Sequence, residues 1–253
     1  MTQRKISRNR SDDTVWLYGT HSVVAALNNP KRQAKQLLVS GTMPSQLQLD
    51  HHKDLTVKHV TRREIDSLLP KRVAHQGLLL KVSNLPGSSI NIVTESQPPQ
   101  IVVVLDRITD PRNVGAILRS AAAFGVKAVI CTKRHAPPST GTLAKAAAGG
   151  LEIVPLIRVT NLARTLSALK TAEFRLLGLD SEAPGTLQEV LFDEPNMRVN
   201  NIALVLGAEG HGLRRLTARH CDVLVKVPTT TAVASLNVSN AAAIALYAIC
   251  HQH

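Results

Sequence analysis

Residues 101–125 read IVVVLDRITDPRNVGAILRSAAAFG, and this stretch decides the fold class of the second half of the chain. Ile101–Leu105 is an unbroken apolar run of the kind a strand shows when both its faces are covered. Asp110-Pro111 then opens a turn. Val114, Ile117, Leu118, Ala121 and Phe124 follow at helical spacing, and Gly125 is placed to end the helix. A buried strand, a polar loop and an amphipathic helix make the first half of a parallel-sheet unit. The loop at the carboxyl end of such a strand is where open α/β sheets bind ligands.

The pattern repeats downstream. Strands are expected at Val126–Cys131, Ile153–Ile157, Arg175–Leu179, Ile202–Leu206 and Val223–Val227, with helical patterns between most of them, such as Asn161–Lys170 with Asn161 as its N-cap. This spacing predicts an α/β fold with a mostly parallel sheet covered on both faces. Two later strand ends carry polar loops of their own, in Ile202–Leu213 (IALVLGAEGHGL) and Lys226–Tyr247 (KVPTTTAVASLNVSNAAAIALY). The last helix, Ala241–Ile249, is so rich in alanine that it has to pack closely against something, a second subunit included.

Upstream, Trp16–Ser83 alternates short helical and strand patterns and reads as a separate small α/β unit. Ser22–Leu27 is helical. Gln36–Val39, Val57–Val60 and Gly77–Val82 are strands. Arg62–Leu69 is a helix with Thr61 as N-cap and Glu64 three residues on, the capping-box arrangement. Asn84–Gln100, rich in Pro, Ser, Gly and Gln, reads as a linker centred on 85–100. Residues 1–15 read as a disordered basic tail.

Of 253 residues, 30 are Lys or Arg and 18 Asp or Glu, a net charge of +12. Residues 1–99 hold 14 basic against 7 acidic side chains, and residues 100–253 hold 16 against 11. A basic surface attracts polyanions by releasing their counterions, so beside an enzyme-like site RNA or DNA becomes the leading substrate class. Aromatic residues are only 2% of the chain, which argues against a stacking platform for bases. Apolar runs are too short to span a membrane. The polar start is not a secretory signal, and Cys131, Cys221 and Cys250 lie far apart with no CxxC, so neither structural zinc nor a disulfide framework is expected and a cytoplasmic setting is.

The three loops allow several chemistries to be set aside. Gly207-Ala-Glu-Gly210-His-Gly212 has the wrong spacing for a dinucleotide fingerprint, and no Lys-Ser/Thr follows to make a Walker loop. Ser235 lacks the GxSxG elbow of a serine hydrolase. What remains is a set of polar groups at strand ends. Arg112 and Arg119, seven residues apart, share one side of a helix. Asn113 stands near that helix's amino end, where a cap is its simplest role. Glu209 is flanked by glycines, either exposed in a turn or aimed inward, and His211 reads as an ordinary loop residue. Ser235, Asn237 and Ser239 precede the last helix, and at least one of them caps it.

Together these segments resemble the three motifs of the SPOUT-class RNA ribose 2′-O-methyltransferases, the SpoU/TrmH family. The likeness lies in Asn113-x-Gly115-x-x-x-Arg119, in Gly207-x-Glu209-Gly210-x-Gly212-Leu213, and in Ser235-Leu236-Asn237-Val238-Ser239. Leu17-Tyr18-Gly19-x-His21 and His75-Gln76-Gly77 are similar to the ribosomal-protein-L30-like substrate-binding domain that precedes the catalytic domain in the bacterial 23S rRNA guanosine methyltransferases of this family. The resemblance implies a SPOUT methyltransferase domain over 101–253 with a C-terminal trefoil knot, an RNA substrate-binding domain over 16–84, and a homodimer without metal. It also implies S-adenosyl-L-methionine as cofactor, held through Gly207, Gly210, Val227 and Leu236. Arg119 would be the catalytic residue, with Asn113, Glu209, Ser235 and Asn237 arranging the site. The implied reaction is 2′-O-methylation of a ribose, a guanosine in 23S-type rRNA; a tRNA ribose methyltransferase and a non-catalytic ribosome-assembly factor are the alternatives. One departure stands out. Where the family usually has Pro-Met-x-Gly, this chain has Pro228-Thr229-Thr230-Thr231.

Overall fold

The computed structural model describes residues 14–251 except Gln48, His51, Arg72, 194–199 and 231–234. The chain divides into two compact units at Leu85/Pro86. Residues 1–13 and Thr231 lie outside the described residues.

In the first unit the elements are β1 (Thr14–Tyr18), α1 (Thr20–Leu27), β2 (Ala34–Val39), β3 (Thr56–His59), α2 (Arg62–Leu68) and β4 (Leu78–Ser83). Thr14 and Val15, expected to end the tail, already pair with Ser83 and Val82 as the start of β1. The sheet runs β1-β4-β2-β3, antiparallel except for β2 with β3. Successive side chains alternate between its faces. Tyr18, Leu38 and Leu79 cluster with Ile65 of α2 on one face, and the alternate residues Leu17, Leu37 and Leu80 are fully buried. The capping box on α2 is present. Thr61 Oγ1 accepts from the Glu64 amide at 3.3 Å, while Glu64 Oε2 accepts from the Thr61 amide at 2.7 Å. The Thr61 amide and the Thr61 hydroxyl, which donates to the same oxygen at 2.8 Å, hold the Glu64 carboxyl below its usual pKa.

His75-Gln76-Gly77 forms a clasp at one end of this unit. The buried His75 carbonyl accepts from the Gly19 amide at 3.3 Å, Gln76 Oε1 from the Thr20 amide at 3.0 Å, and the Gly77 carbonyl from the Ser40 amide at 2.8 Å. A Cβ on Gly77 would overlap the Ser40 carbonyl, so only glycine permits this approach.

The second unit holds α3 (Asn91–Thr94), β5 (Ile101–Leu105), α4 (Pro111–Ala123), β6 (Ala128–Thr132), α5 (Gly141–Ala147), α6 (Gly150–Ile153), β7 (Leu156–Val159), α7 (Leu162–Thr171), β8 (Phe174–Leu179), β9 (Gly185–Thr186), α8 (Leu187–Asp193), β10 (Asn201–Leu206), α9 (Arg215–His220), β11 (Val223–Lys226) and α10 (Val238–Cys250). Its sheet has the order β7-β6-β5-β10-β8-β11-β9, and every pairing is parallel. Val102, Val104, Ala128, Ile130, Leu176, Ala203 and Val205 form the core with Leu162, Leu166 and Leu169 of α7. The intervening Val103, Val129, Leu177 and Leu204 are equally buried, which explains why these strands read as unbroken apolar runs.

Three expectations need correction. The stretch read as a linker carries α3, whose Val93 is fully buried in the core of this unit with Ile90 packed beside it. Its Pro, Ser and Gln content concealed two apolar anchors. The strand expected at Ile153–Ile157 begins instead at Leu156, because Gly150–Ile153 is a helical turn. Two-residue β9 has no sequence signal and was missed.

Glycine sets the packing of α4. A Cβ on Gly115 would lie 2.5 Å from the Leu143 carbonyl oxygen of α5, and one on Gly150 would lie 2.6 Å from the Leu118 carbonyl oxygen. Both neighbours therefore press directly onto the backbone of α4.

Candidate active site

From β5 the chain proceeds to β6 and β7 on one side, whereas β10 lies on the other side of β5. The crevice outside the carboxyl ends of β5 and β10 is therefore a topological switch point, the place where such sheets open to ligands. The first two loops leave the sheet there.

Asp110 caps α4: its side chain accepts from the Arg112 amide at 2.7 Å, with Pro111 as first helical residue. The cap role considered for Asn113 is thus already filled. Asn113 is buried, and its Nδ2 donates to Glu209 Oε1 at 2.6 Å. Asn237 Nδ2 donates to the same oxygen at 2.8 Å and to Asn113 Oδ1 at 3.2 Å. Asn237 Oδ1 accepts from the Ser239 amide at 2.9 Å and from Ser239 Oγ at 2.6 Å, capping α10.

Chemistry fixes the direction of every bond in this network. A backbone amide can only donate, so the Asn237 atom facing Ser239 is its oxygen, and its NH2 must face Glu209. The carboxylate then takes both amide groups, and Asn113 presents its oxygen to Asn237. Residues from three distant segments close into one triad.

The glycine loop is shaped to deliver Glu209. Ala208 and Gly212 exchange backbone bonds of 3.1 and 2.9 Å, making a tight hairpin with Glu209 and Gly210 at its turn. A Cβ on Gly207 would run into the backbone of Gly212 and Leu213. Gly210 and Gly212 take φ of +75° and +61°, the left-handed region that glycine enters without penalty. The base of the hairpin is pinned by Asp106. Its buried carboxylate accepts from Arg214 Nε at 2.7 Å and from the Arg214 amide at 3.2 Å. Sequence reading gave Asp106 no role. An acid directly after five buried aliphatic residues is the signal that marks it, since a buried carboxylate needs a partner.

Not every candidate joins the triad. Arg119 is exposed on α4, six residues beyond Asn113 and so about 9 Å further along the helix axis. Among the described residues it makes no hydrogen bond or ion pair, and neither does Ser235, which is exposed before α10. Gly207 is buried, Gly210 is exposed at the hairpin turn, and Val227 and Leu236 are half-buried at the exit of β11 and ahead of α10. His211 is exposed in the hairpin.

The double role of Asn237 can be separated. Asn237→Asp keeps an acceptor for Ser239 but places a second carboxylate against Glu209 and removes a donor. We expect thermal stability to fall by no more than about 1–2 kcal/mol, as like-charge contacts at a half-open site do. Activity should fall much further. Undiminished activity in both Asn237→Asp and Asn237→Ser, which keep the cap but lose the amide donor, would show that only the helix end matters.

Comparison with known proteins bears on both units. Residues 100–247 match the model of the SpoU rRNA Methylase family, and residues 16–87 match the model described as RNA 2′-O ribose methyltransferase substrate binding. The 23S rRNA (guanosine-2′-O-)-methyltransferase RlmB of Pasteurella multocida strain Pm70 is 39% identical over 245 residues, covering 93% of this chain and 97% of that protein. The protein of the same name from Pseudomonas aeruginosa is 38% identical over 245 residues, covering 93% and 96%. Among solved structures, the SpoU methyltransferase AviRb of Streptomyces viridochromogenes in complex with AdoMet superposes with a TM-score of 0.77 at 22% identity, over 95% of this chain and 90% of that one. The two matched models cover nearly the whole chain, and the chain belongs to the SpoU rRNA methylase family.

Proposed function

We propose that this protein transfers a methyl group from S-adenosyl-L-methionine to the 2′-hydroxyl of a guanosine ribose in 23S-type rRNA. The observation that carries the reading is the Asn113–Glu209–Asn237 triad at the sheet's switch point. It joins the three segments through which the chain resembles its family, and relatives sharing more than a third of its residues bear this activity in their names.

The residues fit the cofactor. Gly207, with no side chain, lets the Gly212–Leu213 backbone fold tightly back over it, and the half-buried Val227 and Leu236 offer further peptide groups, suited to a flat heterocycle read by backbone. When bound, the cofactor supplies an electrophilic sulfonium methyl. The chain's own part is to hold the ribose oxygen in line and exclude competing geometries. Glu209, fixed by two amide donors, presents its second oxygen to the ribose. Arg119, exposed and unpaired among the described residues, clamps the neighbouring phosphate bidentately and stabilises charge developing on the oxygen. A guanidinium holds its protons too firmly to serve as a proton acceptor. Ser235 completes the rim on the α10 side.

The same reading includes a homodimer and a C-terminal trefoil knot over the segment from β10 to α10. For the dimer, α10 exposes Ile244 at 45% and Tyr247 at 58%, and Ile153 stands 70% exposed. Exposed apolar side chains on an alanine-rich helix suit an interface. For the knot, support comes from the family resemblance and from β10 lying between β5 and β8, an order compatible with it.

The first unit would hold RNA. Removing residues 1–85 should weaken RNA binding at least about tenfold, roughly 1.4 kcal/mol, while cofactor affinity persists. Undiminished RNA binding by that truncation would refute the division of labour. The activity itself is read by incubating the protein, cofactor and 23S-type rRNA, then cleaving with alkali. A methylated ribose lacks the attacking hydroxyl, so its linkage survives as a gap in the ladder. A gap at one guanosine is expected. No gap in rRNA leaves a binding factor, and a gap confined to tRNA leaves the tRNA reading.

A further inference from the structure

Charge along the carboxyl edge of the parallel sheet is divided. On the side of β8, β10 and β11 the strand exits carry Asp180, Glu182 and Glu209. On the side of β5 and β6 the exits and the start of α4 carry Arg107, Arg112, Lys133, Arg134 and His135, all exposed, while the acids there are engaged, Asp106 with Arg214 and Asp110 in capping α4. The register pairs Leu105 with Cys131, so β5 and β6 leave the same edge of the sheet side by side. Adjacent strands are about 4.8 Å apart, and these exits therefore form one basic rim beside the triad. Among the described residues, the side chains of Arg107, Arg112, Lys133 and Arg134 have no hydrogen-bonding or acidic partner. Cations that serve the fold are normally paired, and these are not.

The turn carrying three of these residues is held firmly. Ala136 donates to the Thr132 carbonyl at 3.2 Å, closing the turn, and the Lys133 amide donates to the Val159 carbonyl at 2.8 Å. Arg158 of β7 reaches across to donate from Nη2 to the Pro137 carbonyl at 2.6 Å and lies 3.4 Å from Ser139 Oγ. Thr140 then caps α5, and α5 rests on the backbone of α4 at Gly115. One buried-edge arginine and two prolines thus fix a tip of Lys133-Arg134-His135, attached through α5 to the helix that carries Asn113 and Arg119. A merely solvated loop has no use for such anchoring. A group that must meet successive phosphates without paying to be ordered does.

We propose that Lys133-Arg134-His135 is a phosphate-binding finger of the catalytic unit, gripping the RNA strand that flanks the target nucleotide. It supplements the first unit, to which the matching substrate-binding model points as the RNA-holding part. The inference rests on the ribose-methylation reading for what the finger delivers. Placement on the β5–β6 side separates it from Gly207, Val227 and Leu236, so the acceptor strand and the cofactor approach from opposite sides of the triad.

The test uses the full chain with Lys133→Ala/Arg134→Ala. Kd for an rRNA fragment is measured by fluorescence anisotropy over a range of salt, beside cofactor affinity by calorimetry. Loss of two phosphate contacts should weaken RNA binding at least about fivefold at low salt and flatten the plot of log K against log salt by roughly 0.7 per contact. Cofactor affinity should be retained. Arg158→Gln keeps the cations but frees the tip, so it should weaken binding with the salt slope unchanged. Unaltered Kd and slope in the double variant overturn the finger, whether the charge is solvent-facing or serves a protein partner. The failure of methylation is separate: wild-type protein that leaves no alkali-resistant linkage refutes the activity while the anisotropy still reads the finger.

Discussion

Arg119→Ala is expected to lower kcat/KM for ribose methylation by roughly a hundred- to a thousandfold, the cost of removing one preorganised donor from a developing oxyanion. Stability should barely change, because the side chain is exposed and unpaired among the described residues. Arg119→Lys distinguishes the ways in which arginine acts. Lysine keeps the charge but not the planar fork, so a bidentate clamp predicts that the variant remains at least about tenfold impaired. Near-wild-type turnover in Arg119→Lys would refute the clamp. The readout is initial rate against RNA concentration at saturating cofactor, so that kcat and KM are separated.

Gly207→Ala should nearly abolish cofactor binding. The added Cβ meets the backbone of Gly212 and Leu213 rather than a flexible side chain, so the hairpin has to open. Overpacking of this kind costs about 1–3 kcal/mol. If about 3 kcal/mol falls on the bound state, cofactor affinity drops roughly a hundredfold. Gly210→Ala provides the control. Its φ of +75° costs about 1–2 kcal/mol in backbone strain, but nothing lies within 4 Å of the new Cβ. Calorimetry on both variants should therefore show the larger affinity loss at Gly207, and the reverse order would mean that the hairpin does not shape the pocket.

The second unit's strands were legible because burial on both faces leaves long apolar runs, as at Ile101–Leu105 and Ile202–Leu206. Thr61 and Glu64 announced their capping box for an equally local reason. What stayed hidden was set by distant partners. By position Asn113 offered itself as a helix cap and only the resemblance placed it in the site; its bond to a carboxylate 96 residues away supplies the physical reason. Asp106 was silent because its partner, Arg214, is 108 residues on. Val93 was lost in a stretch of linker-like composition, since one buried anchor gives no period. The order of strands was not legible either, because it depends on which exits adjoin rather than on any local pattern.

The triad spans sequence separations of 96 and 124 residues. Asn237 is the last of the three in chain order, so in synthesis from the amino end every strand of the sheet is made before the site can close. Until then no ligand can select the native arrangement by mass action, and the sheet has to be assembled on its own apolar core. A chain cut short before α10 would be folded in part and inert in full.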